Sequence, residues 1–301
     1  MDILITGGTG LIGRALCNAL RVDGHRLTVL SRKPERVASQ CGADVAAMAS
    51  LDEWTPQRRF DAVINLAGEP IADRAWTEAR KQVLRDSRIA LTERLVARIA
   101  QAEHKPAVLL SGSAVGYYGN GGDRELGEDS PPDTDFAATL CRDWEAAARE
   151  AERYGVRVCL LRTGLVLSRD GGLLGRMLPP FRLGLGARLG DGRQWMSWIH
   201  IDDYVAQLCW MLRDDTLRGP FNMTAPHPVT NAEFTRTLAY VLHRPAFFFA
   251  PAPLMRPILG ERATLLLDGQ RVLPRKLQAQ HARYLYPELA SALLAILVPG
   301  K

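Results

Sequence analysis

The stretch Thr6-Gly7-Gly8-Thr9-Gly10-Leu11-Ile12-Gly13 sets glycines at Gly7, Gly10 and Gly13. It lies between a short apolar run, residues 3–6, and apolar positions recurring at helical spacing over residues 11–20. The chemistry this spacing suits is pyrophosphate binding. Gly7 allows a sharp turn, Gly10 lets the backbone approach the anion with no side chain in the way, and Gly13 lets the helix pack close to the sheet. The helix start then turns free N–H groups and the positive end of its dipole toward the anion. A lone glycine triplet says little, but a strand before it and a helix after it make a dinucleotide site.

The end of the second strand, residues 26–30, selects between dinucleotides. A carboxylate there would bond the ribose 2′-hydroxyl of NAD, whereas this chain has Ser31-Arg32-Lys33 and no acid until Glu35. A hydroxyl and a guanidinium fork suit a 2′-phosphate, so NADP(H) is the expected cofactor.

These residues need a scaffold. Apolar runs at 3–6, 26–30, 62–66, 107–110 and 157–161 read as buried strands. Helical patterns at 11–20, 77–102 and 136–153 lie between them, with a Gly/Pro/Asp-rich loop at 117–135. Near-continuous apolar strands alternating with helices predict an α/β fold, a doubly wound parallel (Rossmann) sheet covered on both faces. After Leu167 come glycine-rich loops at 171–172 and 184–192 carrying Trp195 and Trp198. The expected division is a cofactor domain of residues 1–167 with about 200–225, and a smaller substrate lobe of 168–199 and 226–301.

The 301 residues are 47% hydrophobic and 24% charged, which excludes disordered, collagenous and disulfide-scaffold classes. The net charge of +5 is spread along the chain and forms no basic stripe, so a small molecule and not nucleic acid is the expected partner. No apolar run approaches the roughly 18 residues of a membrane span. Met1-Asp2 leads to a glycine turn by Gly7, unlike a signal peptide. The five cysteines, Cys17, Cys41, Cys141, Cys159 and Cys209, form no C-x-x-C pair and read as reduced, buried side chains. A cytoplasmic monomer or homodimer is expected, with no metal.

Two later segments carry possible chemistry. His200-Ile201-Asp202 has the spacing of an iron-binding pair, but the parallel α/β setting favours a strand-to-helix connection in which Asp202 or Asp203 caps the helix. Around the 183–192 loop, Arg182, Arg188, Arg193, Gln194 and Trp195 offer guanidiniums and an indole for a substrate pocket, or a solvated loop.

Thr6 to Gly13, Asn65-Leu66-Ala67-Gly68, Ser111-x-Ser113 and Trp198 to Asp203 resemble the extended short-chain dehydrogenase/reductase superfamily, the NAD(P)-dependent epimerase/dehydratase group. Five further segments narrow the resemblance: Gly68-Glu69-Pro70-Ile71, Asp86-Ser87-Arg88, Cys141-Arg142-Asp143-Trp144-Glu145, the run from Pro179 to Gly186, and the run from Gly269 to Pro274. They are similar to the YfcH-type epimerase family, the short-chain dehydrogenase/reductase family 39U. The likeness runs from end to end and includes that family's C-terminal module, here about 250–298.

The resemblance implies that Gly7, Thr9, Gly10, Leu11, Ile12 and Gly13 hold the pyrophosphate and that Ser31 and Arg32 hold the 2′-phosphate. It further implies that Leu66, Ala67, Gly68 and Val166 line the cofactor, and that Arg88 contacts a phosphate or is simply a salt-bridged helix arginine. Superfamily catalysis uses a Ser with a Tyr and a Lys four residues apart on one helix face, where the ammonium and cofactor lower the tyrosine pKa. No tyrosine here has lysine four residues on. Aligned on Glu145, the lysine position holds Cys141 and the tyrosine position Ala137. Ser113 remains, with Tyr117 or Tyr118 from the same loop as the candidate proton donor. The implied function is an NADP(H)-dependent oxidoreductase or nucleoside-diphosphate-sugar epimerase-like protein acting on a small molecule. The missing pair leaves open a non-catalytic NADP(H)-binding regulatory protein linked to cell division.

Overall fold

The computed structural model describes residues 1–298. Seven strands form the main sheet: β1 (Asp2–Thr6), β2 (Arg26–Leu30), β3 (Ala46–Met48), β4 (Ala62–Asn65), β5 (Val108–Ala114), β6 (Arg157–Thr163) and β7 (Gly219–Met223). Their order is β7-β6-β5-β4-β1-β2-β3 and every pairing is parallel. The chain leaves β1 for β2 on one side and later returns to β4 on the other, which opens a crevice at the carboxyl ends of β1 and β4.

Alternation along each strand builds the two faces of the core. Ile3 and Ile5 pack with Leu16, Leu20, Leu208 and Phe221. Leu4, between them, packs on the opposite face with Trp54, Phe60, Leu95 and Ile99. Helices α1 (Leu11–Val22) and α6 (Ile201–Arg213) cover the first face, and α3 (Leu91–Gln101) the second. The other main helices are α2 (Glu78–Arg85), α4 (Phe136–Arg149), α5 (Gly172–Arg182), α7 (Asn231–Val241) and α8 (Leu289–Leu297). A third apolar cluster, with Leu174, Trp198, Phe234 and Leu293, joins α5, α7 and α8. No helix among the described residues is long and apolar enough to cross a membrane.

The structure departs from the sequence reading in three places. The expected single helix 77–102 is α2 and α3 joined by a π-turn at Asp86–Ala90, a register change that hydrophobic periodicity does not show. Strands β3 and β7 escaped notice because β3 has only three residues, and β7 starts Gly219-Pro220 as a turn would. Proline is tolerated there because β7 is an edge strand. The glycine-rich loop expected at 171–172 leads straight into a helix the sequence reading did not assign, α5, with Leu174, Leu178 and Phe181 buried.

Candidate functional site

The crevice begins at Thr6. Its hydroxyl donates to Asn65 Oδ1 at 2.6 Å and accepts from the Ala67 N–H at 3.2 Å, tying the ends of β1 and β4 together. Gly7 turns at φ +71°, and a Cβ there would lie 2.6 Å from the Leu66 carbonyl. At Gly13 a Cβ would lie 2.2 Å from the Gly7 carbonyl oxygen, so only glycine lets α1 start this close to the turn. Gly10 differs: the nearest atom to its Cβ position is the Gly7 oxygen at 3.2 Å. Gly10 also caps α1 without any side-chain hydrogen bond, which leaves the first N–H groups of the helix free for an anion. These features fit a dinucleotide pyrophosphate.

Half-buried Ile12, Leu66 and Val166 pack against the core at this crevice. The chain after Val166 returns over the start of α1, where a Cβ on Gly172 would meet Leu11 Cδ2 at 3.3 Å and the Val166 oxygen at 3.4 Å. The glycine turn, Leu66, Ala67 and Val166 are therefore brought together.

On the β2 side, the Ser31 N–H donates to the Met48 carbonyl at 2.9 Å, and Ser31 Oγ accepts from the Lys33 N–H at 3.1 Å. The Arg32 side chain is 90% exposed, with Nη1 2.8 Å from Glu69 Oε1. Arg80 Nη1 stands 3.6 Å from the other carboxylate oxygen. The hydrogen bond from Arg32 holds the Glu69 carboxyl below the usual range. An exposed pair of this kind is worth little net energy, so a phosphate can compete for the guanidinium.

On the β4–β5 side, Arg88 is lodged in the π-turn. Its Nη2 donates to the Glu69 carbonyl at 2.9 Å and its Nη1 to the Leu84 carbonyl at 3.3 Å. The guanidinium stacks on Trp144, 5.4 Å from the ring centroid, and a Cβ on Gly68 would come within 2.9 Å of its central carbon.

Ser113, on β5, is buried and donates to Glu145 Oε1 at 2.8 Å. Glu145 in turn holds Arg162 of β6 through two hydrogen bonds. Arg162 Nη1 donates to Tyr118 Oη and to the Glu128 carbonyl, both at 2.9 Å, and Tyr118 Oη donates to Asn222 Oδ1 at 2.6 Å. Burial pushes the Tyr118 phenol up to about 12. Tyr117, half-buried, lies with its ring centroid 3.6 Å from the Arg162 guanidinium, and its hydroxyl makes no hydrogen bond among the described residues. Cys141 is buried and its thiol is pushed up to about 12, first by burial and then by Glu145. Ala137 packs with Trp76, Leu84 and Leu140, with Leu265 of the C-terminal segment against them.

The sequence reading missed Arg162, Glu128 and Asn222. A signal was present: Arg162 interrupts the otherwise apolar strand Arg157–Thr163, and a charge buried in a central strand needs a partner. The helix cap is also corrected. His200 caps α6, its Nδ1 accepting from the Asp202 N–H at 3.1 Å. Asp203 instead accepts from the N–H groups of Leu285 at 2.7 Å and Tyr286 at 3.0 Å. Among the described residues, no three His, Cys, Asp or Glu side chains are grouped to hold a metal. Of the arginine/tryptophan loop, Arg188 and Gln194 line a cavity of about 490 Å³ with Phe249, Arg256 and Leu267. Trp195 is engaged with Asp123 at 2.8 Å and with Arg271.

Comparison with known proteins agrees with this geometry. The NAD dependent epimerase/dehydratase family profile matches residues 3–223, and a domain of unknown function (DUF1731) matches residues 250–296. An epimerase family protein of Mycobacterium bovis is 43% identical, covering 97% of this chain and 96% of its own. The bovine epimerase family protein SDR39U1 is 41% identical over 99% of this chain and 100% of its own. The crystal structure of human epimerase family protein SDR39U1 (isoform 2) with NADPH superposes with a TM-score of 0.90 at 38% identity, covering 100% of both chains. A UDP-galactose 4-epimerase, 17% identical, shares the fold with a TM-score of 0.75 over 98% of this chain and 97% of its own. The chain thus belongs to the NAD dependent epimerase/dehydratase family, with sequence relatives among the SDR39U1-type epimerase family proteins.

Proposed function

We propose that the chain is an NADP(H)-dependent, epimerase-like oxidoreductase acting on a small molecule in the crevice above β4 and β5. The observation that carries the cofactor assignment is the start of α1 at Gly10, which has no side-chain cap, together with Arg32 at the end of β2. The NADPH in the structure of the human relative supports the same choice. Gly10, Leu11 and Ile12 would hold the pyrophosphate, Ser31 and Arg32 the 2′-phosphate, and Leu66, Ala67, Gly68 and Val166 the flanking surfaces.

Bound NADP(H) would supply hydride donor and acceptor chemistry. Of the chain's own groups, the Tyr117 hydroxyl is uncommitted and is the one to exchange a proton with a substrate oxygen. Ser113, which gives its own proton to Glu145, keeps oxygen lone pairs to accept from a substrate hydroxyl. Tyr118 serves to hold Arg162 in place.

A second reading, an NADP(H)-binding regulator without catalysis, is favoured by one observation: Ser113 and Tyr118 both spend their hydrogens inside the buried network. Following NADPH absorbance while offering quinones, small carbonyls and sugar nucleotides separates the two. Oxidation by the parent that Tyr117→Phe loses supports the enzyme; tight NADPH binding with no turnover of any of them supports the regulator.

A further inference from the structure

Eight of the fifteen large apolar side chains exposed among the described residues lie in two short segments, 183–185 and 240–258. The fold joins these segments into one surface. The strands Ala187–Leu189 and Phe248–Ala250 pair in parallel as a sheet of two strands. The Arg244 Nε–H donates to the Arg182 carbonyl at 2.9 Å, and a Cβ on Gly184 would lie 3.4 Å from Pro245 Cγ. Single exposed apolar residues are ordinary on a protein surface, but a connected patch of them marks an interaction site.

The helix Ala252–Leu259 is the barest part of the patch. None of its eight residues is buried. Leu254 and Ile258 stand one turn apart on the same side, 66% and 79% exposed, and just ahead of the helix Phe247 is 89% exposed. A surface helix ordinarily turns its apolar stripe to the core and its polar residues to water. Here an apolar side faces outward, and nothing among the described residues covers it.

The charge of this surface has one sign. Residues 171–190 carry Arg176, Arg182 and Arg188, residues 234–260 carry Arg236, Arg244 and Arg256, and neither stretch contains Asp or Glu. Among the described residues only Arg176 of the six has a carboxylate partner, Asp73. Two copies of the chain meeting through this face would set arginine against arginine. An anionic bilayer surface complements both parts of it, with phosphates for the guanidiniums and an apolar layer for the Phe, Leu and Ile side chains. Arginine suits such a boundary, because its stem lies along apolar surface while its head stays in the polar layer. A peripheral contact of this kind needs no membrane-spanning helix, and none is present among the described residues.

We propose that the face built from residues 182–188 and 244–258 docks on the surface of an anionic lipid bilayer. Phe247, Phe248, Leu254 and Ile258 enter the boundary between headgroups and acyl chains, and Arg244 and Arg256 pair with lipid phosphates.

The test is co-sedimentation of the full chain with vesicles of phosphatidylcholine alone or with roughly a third of phosphatidylglycerol. The parent should sediment with the anionic vesicles and stay in solution with the neutral ones, and raising the salt from about 0.1 M to about 1 M should release most of it. Leu254→Ser with Ile258→Ser should weaken vesicle binding by about tenfold or more, while melting and NADPH affinity stay at parent values, since both side chains are exposed and lie outside the cofactor crevice. Arg244→Gln with Arg256→Gln should weaken it by about tenfold as well. Phe248→Trp adds a direct readout: beyond the signal of the six native tryptophans, its fluorescence should shift to the blue on anionic vesicles and be quenched by brominated lipid. A parent that ignores anionic vesicles, or binds neutral ones equally, overturns the proposal, and so does a Leu254/Ile258 variant that binds like the parent. A parent that forms a dimer which this variant breaks, with no vesicle binding by either, assigns the face to a second copy of the chain and overturns it too.

Discussion

Glu145 on α4 and Arg162 on β6 face each other under the carboxyl ends of β5 and β6 in a two-pronged pair, Nε to Oε1 at 2.8 Å and Nη2 to Oε2 at 2.9 Å. Both side chains are about 95% buried or more, and every further donor of Arg162 that the structure resolves goes to Tyr118 or the Glu128 carbonyl. With Ser113 donating to Glu145 as well, a buried ionic network ties α4 to β5 and β6.

Breaking that pair from one side should be costly. Glu145→Ala leaves a buried, unneutralised guanidinium and is expected to lose about 3–5 kcal/mol in urea unfolding. Replacing both partners by apolar residues, Glu145→Leu with Arg162→Met, should recover a large part of the loss. Equal destabilisation of single and double variants would show that the pair is not the source.

The glycine turn predicts two different failures. Gly13→Ala places a Cβ 2.2 Å from the Gly7 carbonyl oxygen, a backbone atom that cannot give way, so both stability and NADPH binding should fall. Gly10→Ala meets only the Gly7 oxygen at 3.2 Å, so melting should shift little while NADPH binding drops by about tenfold or more as the methyl enters the pyrophosphate position. Thermal melting alongside NADPH titration reads both.

Arg32→Ala should cut NADPH affinity by about tenfold to a hundredfold and leave NADH affinity nearly unchanged, because only the 2′-phosphate distinguishes the two ligands. Its stability should barely change, since the guanidinium is 90% exposed. An equal loss for both ligands would mean that Arg32 does not read the 2′-phosphate.

His200 should make stability depend on pH. Burial lowers its pKa below the ordinary 6.5, against opposing pulls from Asp202 and Asp203. Below 6.5 the unfolded chain therefore binds more protons than the folded one, and stability should decline as pH falls from about 6.5 through the lower folded value. His200→Asn keeps a capping side chain for α6 and removes the titration. The unfolding free energy of the parent relative to the variant should stay constant above pH 6.5 and fall as the pH drops below it; curves that run parallel throughout would contradict this.

Much of the cofactor crevice was legible in the chain itself. Short-range sterics require Gly7 and Gly13 where a strand turns into a helix against a neighbouring backbone, and the apolar runs 3–6, 62–66 and 107–110 read directly as buried parallel strands. Ser31-Arg32 likewise follows its strand in sequence, so its address needed no tertiary contact. What surrounds Ser113 depended on residues far apart: Ser113 meets Glu145 across 32 positions, Tyr118 meets Asn222 across 104, and Arg88 reaches Trp144 on α4 from a turn of helix wound as π. Periodicity records which face of a helix is buried but not a one-residue slip in its winding. Nor does spacing along a chain say which buried charges will neutralise one another, because that is decided by which strands and helices the sheet order makes neighbours.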